Sequence, residues 1–141
     1  MTRGETRSVI DGPAGALEVA LNVPTDVHAT APRGIALVAH PNPQQGGTMD
    51  NKVAQTLART FAALGYASVR FNFRGTGASE GAFDNGVGET EDALAALAHA
   101  QREFAALAAT PPVLAGFSFG AYVQTLVAHR HKAPWRIALF Q

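Results

Sequence analysis

A serine stands between two glycines in Gly116-Phe117-Ser118-Phe119-Gly120, directly after the apolar run Val113-Leu114-Ala115 and directly before a helical pattern. This is the G-x-S-x-G arrangement of a nucleophile elbow, which holds a serine on a sharp strand-to-helix turn with its hydroxyl exposed. The turn forces the serine toward backbone angles that an L-residue avoids and brings strand and helix close together. Gly116 and Gly120 remove the side chains that would collide there. The chemistry such a serine can do is acyl transfer, which also needs backbone N–H donors aimed at the charge developing on a carbonyl oxygen. One donor is the N–H of Phe119, at the start of the helix. The second is expected in the loop after the apolar run 34–40, which reads His40-Pro41-Asn42-Pro43. Proline has no N–H, so Asn42 is the nearest donor, and the two prolines stiffen the loop that carries it.

A serine hydroxyl is a weak nucleophile without a base, and in sites of this kind the acid and the base follow the serine in chain order. Only 23 residues follow Ser118, and none of them is Asp or Glu. His129 lies along the helix that Ser118 begins, about 16 Å away at about 1.5 Å per residue. It and His131 read as solvated residues that complement the dipole of a helix C-terminus. His99 falls within an alanine-rich helix and His28 in an early loop. His40 alone is near the site. Its expected role is to brace the oxyanion loop by hydrogen bonding, with general-base duty as the lesser alternative. Asp50 and Asp84 read as loop or cap residues.

The elements that must position these groups follow from the hydrophobic pattern. Residues 7–23 read as one or two strands around a Gly12-Pro13 turn, the second carried by Leu17, Val19, Leu21 and Val23, with a loop over 24–33. Residues 34–40, 67–73 and 113–117 are short apolar runs of the kind found in parallel strands covered on both faces. Met49, Val53, Leu57, Phe61 and Leu64 recur at helical spacing, with Gly65 as the stop. An alanine-rich helix is predicted over 88–109, with Leu94, Leu97, Gln101, Phe104 and Leu107 along one side and Glu89, Glu91 and Asp92 in its first turn, at the positive end of the dipole. Pro111-Pro112 ends it. A further helix is predicted from Phe119 to about His131, and a last strand over 135–140. Strands alternating with helices of this length give an α/β fold, a mostly parallel sheet with flanking helices. Two of the core strands end in glycine-rich loops and the third in Ser118, and ligands bind beyond the carboxyl ends of strands in such sheets.

The stretches HPNPQQGGTMDNKV, FNFRGTGASEG and LAGFSFGAYV, in that order, resemble the α/β-hydrolase superfamily, and within it small bacterial serine hydrolases related to dienelactone hydrolases. The resemblance covers about 34–139. It implies a serine esterase or acyl hydrolase with Ser118 as nucleophile, the Asn42 and Phe119 amides as oxyanion donors, and a small-molecule ester as substrate. It also implies that the Arg74–Ser79 loop borders the site; Asn72 stands where many members have Asp. The family fold places its acid and its histidine after later strands than this chain contains. Six strands can be counted where eight are usual, so the expectation is a single domain over 1–141 that is the N-terminal two thirds of a hydrolase. All eleven acidic residues lie at or before Glu103 while Arg130, Lys132 and Arg136 close the sequence, which points the same way.

Composition limits the alternatives. The chain has 141 residues, eleven basic against eleven acidic, 47% hydrophobic residues and no cysteine. A zero net charge provides no field for nucleic acid or an anionic membrane, and without cysteine there is no disulfide or thiolate chemistry. No apolar run approaches the roughly 20 residues that span a bilayer, and the N-terminus lacks the apolar core of a secretory signal. A cytoplasmic location is expected. Gly75-x-Gly77 is followed by Glu80 where a dinucleotide fingerprint needs glycine, and no histidine pair has metal-site spacing beside a carboxylate, so neither cofactor nor metal is expected. The competing reading is a non-catalytic chain or binding module without the acid and base, whose last strand leaves an apolar edge open to self-association.

Overall fold

The computed structural model describes residues 4–24 and 31–141; the early loop expected to hold His28 lies outside them. The chain opens with a hairpin of β1 (Glu5–Gly12) and β2 (Gly15–Asn22), paired from Glu5–Asn22 to Gly12–Gly15 across the turn Pro13-Ala14. The turn is one residue later than predicted, and the positive φ of Gly15, 115°, closes it. Three apolar runs form β3 (Ile35–Ala39), β4 (Ala67–Phe71) and β5 (Val113–Phe117), buried along almost their whole length. With β6 (Arg136–Phe140) they make a six-stranded sheet of order β1-β2-β4-β3-β5-β6. The hairpin strands pair antiparallel and the other four parallel. The fold is the predicted α/β architecture.

Winding runs from β3 outward to β4, then returns to the other side of β3 for β5. The reversal places a crevice at the carboxyl ends of β3 and β5. Alternation along the strands sorts the core into two layers. Leu37, Ala39, Val69, Phe71 and Leu114 face the helices α2 (Val87–Glu103) and α3 (Phe119–Arg130), while Val38 and Ala115 face α1 (Lys52–Ala63).

The helices hold small surprises with one cause. α1 starts at Lys52, capped by the Asn51 side chain, so Met49 precedes it and is buried in the loop; Leu64 follows it and is exposed. The face pressed on the sheet is Ala54, Leu57, Ala58 and Phe61. α2 ends at Glu103, followed by a 3-10 turn, Ala105–Leu107, and its buried face is Ala93, Ala96, Leu97 and Ala100. Alanine lets a helix axis come close to a sheet, whereas a reading weighted by large side chains places the stripe a residue or two away. The acids of the first turn of α2 also do more than oppose a dipole. Glu89 accepts the Asp84 and Gly86 amides at 2.8 and 2.9 Å, Glu91 pairs with Arg130, and buried Asp92 pairs with Arg74 at 3.0 Å.

One polar cluster crosses the sheet. Arg70 on β4 is 1% exposed and is held by Glu5, by Met49 O at 2.7 Å and by Asp50 at 3.1 Å. Arg7 joins it, 2.9 Å from Glu5 and 2.6 Å from Asp50. The cluster ties β1, β4 and the segment leading into α1. At the other end of the sheet order, no strand among the described residues pairs with the outer edge of β6, and Ile137, Leu139 and Phe140 are exposed. Among the described residues no helix is long and apolar enough to cross a membrane.

Removing one partner of a buried ion pair leaves a desolvated charge. Glu5→Gln is expected to destabilise the chain by about 3 kcal/mol, the low end for such a loss, because Met49 O and Asp50 still hold Arg70. The Arg7 hydrogen bond, acting against partial burial, lowers the Asp50 pKa from 3.8 to about 2. Stability from this carboxylate is therefore complete above about pH 4 and is lost as pH falls toward 2. Melting temperatures across that window check it: Asp50→Asn should flatten the slope, and an unchanged slope would contradict the assignment.

Candidate active site

Ser118 joins β5 to α3 with φ 58° and ψ −116°, one of two positive-φ non-glycine residues among those described. Such a conformation costs on the order of 1–3 kcal/mol and persists only where its surroundings dictate it. Here the Ser118 N–H donates to Phe140 O on β6 at 2.9 Å, and Ser118 O accepts from Tyr122 N in the first turn of α3 at 3.1 Å. The elbow glycines do separate things. A Cβ on Gly116 would lie 2.6 Å from the backbone of Gly120, so Gly116 lets α3 turn back over its own strand. A Cβ on Gly120 would lie 2.5 Å from the carbonyl carbon of Ala39 and 2.6 Å from His40 O. Gly120 thus lets α3 rest on the end of β3, a neighbour distant in sequence.

That contact brings Ser118 beside the loop after β3. Asn42 precedes the 3-10 turn Pro43–Gln45 and caps it, its Oδ1 accepting the Gln44 amide at 2.8 Å. Asn42 O accepts the amides of Gln45 and Gly47 at 3.0 and 2.9 Å. The loop folds tightly enough that a Cβ on Gly47 would lie 2.5 Å from the carbonyl carbon of Pro41. The Asn42 N–H takes no part in these bonds, and the Phe119 N–H, at the first helical position, is one of the amides a helix leaves without an internal partner. Exposed Ser118 and both loops open on a groove of about 270 Å³ lined by Pro41, Asn42, Gln45, Asn51, Phe117 and Gln141, with Gly46 and Gly47. Among the described residues no histidine or carboxylate lines it.

His40 is 1% exposed at the root of this loop. Its Nδ1 lies 2.7 Å from Pro41 O, and its Nε2 accepts the Phe73 amide at 3.1 Å. The neutral ring with its proton on Nδ1 satisfies both bonds, and burial, opposed by the Pro41 bond, pushes the pKa down to about 4. With both nitrogens bound to backbone, the ring offers Ser118 no free base. The other described histidines stay away: His99 is within α2, His129 is exposed on the last turn of α3, and His131 follows that helix, bonded to Ala133 O at 3.0 Å. Asp50 is occupied by the arginine cluster, and Asp84 accepts the Gly88 amide at 2.9 Å.

The segment Arg74–Ser79, expected to border the site, lines no part of this groove. It is drawn away instead. Arg74 pairs with Asp92, Ser79 bridges Glu18 N and Asn72 O at 2.9 and 2.7 Å, and Ala78 N donates to Glu18 at 2.9 Å. Phe73 supplies the indirect link, edge-on to His40 at 4.6 Å and to Phe119 at 5.5 Å between ring centres. Asn72 accepts the Met49 amide at 2.8 Å and donates to Glu18 at 2.7 Å. A carboxylate there would face Glu18 with like charge, which explains the amide in this chain.

Two residues of the site escape a reading of the sequence. Gly47 is one of a glycine pair with no visible reason to be the essential one. Gln124, one turn beyond Gly120, is fully buried and donates to Leu37 O at 2.9 Å and Ala115 O at 2.8 Å, joining α3 to β3 and β5. A polar residue at that spacing reads as surface until the neighbouring carbonyls are seen.

Comparison with known proteins places this arrangement in a family. A family model described as X-Pro dipeptidyl-peptidase (S15 family) matches residues 11–140. An uncharacterised protein of Rickettsia prowazekii is 47% identical over 96 residues, 67% of this chain and 40% of its own length. An α/β serine hydrolase homologue from Coxiella burnetii is 37% identical, with a TM-score of 0.82 over 99% of this chain and 74% of its own. A Xanthomonas campestris protein described as an α/β serine hydrolase without lid is 41% identical, with a TM-score of 0.78 over 92% of this chain and 58% of its own. The chain thus spans between two fifths and three quarters of the length of these relatives. Sheet order, elbow geometry and these matches together make it a member of the α/β serine hydrolases, in the family described as X-Pro dipeptidyl-peptidase (S15).

Proposed function

We propose that this chain carries the nucleophile and oxyanion half of a serine hydrolase that cleaves ester bonds in small molecules. The observation that supports it most is the strained backbone of Ser118, held at the mouth of a groove beside two unclaimed amides. In this reading the Ser118 hydroxyl passes its proton to a solvent base and adds to the ester carbonyl, and the Phe119 and Asn42 N–H groups receive the oxyanion formed from the C=O pair. Collapse of that intermediate expels the alcohol with a proton from solvent and leaves the acyl group on Ser118. Gly116 and Gly120 permit the turn. Pre-aimed donors of this kind are each worth about 10²–10³ in rate. His40 is a positioning residue: it fixes the Asn42 loop to Phe73, just beyond β4, and takes no proton.

A second reading rests on the absence of histidine and carboxylate from that lining. The chain alone then binds ester substrates and turns them over feebly, since a serine without a base is a weak nucleophile, while oxyanion and binding terms leave some residual rate. The open β6 edge, with Ile137, Leu139 and Phe140 exposed, would pair with a second copy. Sedimentation over a range of concentrations should show a dimer that dissociates on dilution; a monomer throughout would refute the pairing.

Incubation with a fluorophosphonate, with and without added imidazole as a diffusible base, should place one adduct on Ser118, formed faster with imidazole and missing in Ser118→Ala. No adduct, or one that survives the substitution, would sink the assignment.

For His40 the sign is the reverse of a pairing histidine. Burial lowers its pKa from 6.5 to about 4, so its contribution is complete above pH 6.5 and is lost as pH falls toward 4, about 3 kcal/mol in all. His40→Gln, which keeps a donor and an acceptor, should remove that part of the pH dependence of denaturant unfolding. A slope retained in the variant would contradict the bracing role.

A further inference from the structure

We propose that a cleft at the end of the sheet opposite Ser118 binds the phosphate group of a small phosphorylated molecule. The cleft, about 170 Å³, is lined by Arg33, Tyr66, Thr110, Pro111 and Arg136. These residues come from the starts of four parallel strands. Arg33 and Tyr66 lie just before β3 and β4, Thr110 and Pro111 before β5, and Arg136 begins β6. Ser118 follows the other end of β5, whose length separates the two sites by about 17 Å at about 3.3 Å per residue.

The lining consists of groups that suit an oxyanion. Among the described residues it has two guanidiniums and two hydroxyls, and no carboxylate. Elsewhere Arg7, Arg70, Arg74 and Arg130 each hold an acidic side chain. Among the described residues Arg33, Arg59, Arg102 and Arg136 hold none, and two of these, Arg33 and Arg136, meet in one cleft. In a chain of zero net charge their meeting is a local concentration of positive charge and not a general field.

The Arg33 side chain and the backbone that carries both arginines are also anchored. The Arg33 guanidinium sits 5.3 Å from the centre of the Tyr66 ring and, among the described residues, spends only one of its five N–H donors, on Leu64 O at 3.2 Å. Its backbone N–H is fixed to Gly65 O at 2.9 Å, and that of Arg136 to Pro112 O at 2.9 Å. Gly34 lies between two of the lining residues. A Cβ there would lie 3.0 Å from the Tyr66 ring and 3.7 Å from the Thr110 methyl, so glycine lets the two hydroxyl-bearing residues close in from either side. Two planar guanidiniums match the tetrahedral oxygens of a phosphate through paired N–H donors, a geometry that lysine does not reproduce. Capping of α1 by Arg33 accounts for the Leu64 bond alone. It gives no reason for Arg136 and Thr110 to face the same space.

Calorimetric titration of the 141-residue chain at constant ionic strength tests the proposal, with inorganic phosphate, glycerol phosphate and acetate as probes. Saturable binding of both phosphates is expected, at least about tenfold weaker in Arg33→Gln and in Arg136→Gln and lost in the double variant. Tighter binding of glycerol phosphate than of inorganic phosphate would assign the site to phosphate monoesters, and equal affinity to free phosphate. Arg136 is exposed at the start of an edge strand, so its variant should melt as the parent does without ligand. No saturable phosphate binding, equal binding of acetate, or affinity unchanged in Arg136→Gln would each overturn the proposal. None of these readings depends on Ser118.

Discussion

The contact between Gly120 and the end of β3 governs the geometry of this molecule. Its Cα rests against the carbonyls of Ala39 and His40, where no side chain fits. The close approach sets the height of α3 above the sheet, which lets the Gln124 amide reach carbonyls on two strands. It also brings the start of α3, with Ser118 and the Phe119 amide, beside the loop that holds Asn42. An elbow with the same strand and helix but a wider gap would keep the strained serine and lose its neighbour.

The opposite side of that loop is secured by a different kind of interaction. His40, Asn72 and Arg70 are all buried, and each bonds to backbone: His40 to Pro41 and Phe73, Asn72 to Met49, Arg70 to Met49. Buried polar groups of this sort are costly unless satisfied, and once satisfied they admit few alternative arrangements. These three side chains, from just after β3 and from β4 and the residue after it, therefore fix the path of residues 40–50. Hydrophobic packing holds the layers together, and these bonds hold the loop.

Much of this was legible in the residues. The three apolar runs that became β3, β4 and β5, the serine on its turn and the paucity of N–H donors around Asn42 are local features. They follow from period, from proline chemistry and from glycine spacing. The buried faces of α1 and α2 were less so, because alanine carries little weight in an amphipathic pattern yet permits the closest packing. Asp92 was read through the helix dipole, and its contact with Arg74 became visible only when the loop after β4 folded over α2. The same fold drew 74–79 toward Glu18 and away from the groove.

The chain's own order of residues determined the element types, their alternation and the position of a reactive serine, because each depends on interactions within about a dozen residues. The tertiary structure decided which amides stand beside that serine, which nitrogen of His40 bears its proton, and which arginines are left without a carboxylate. Those outcomes depend on pairs such as Gly120 with Ala39, His40 with Phe73 and Arg33 with Arg136. Their partners are brought together by strand order, and the reversal that puts β5 beside β3 is a choice of winding that no local pattern records.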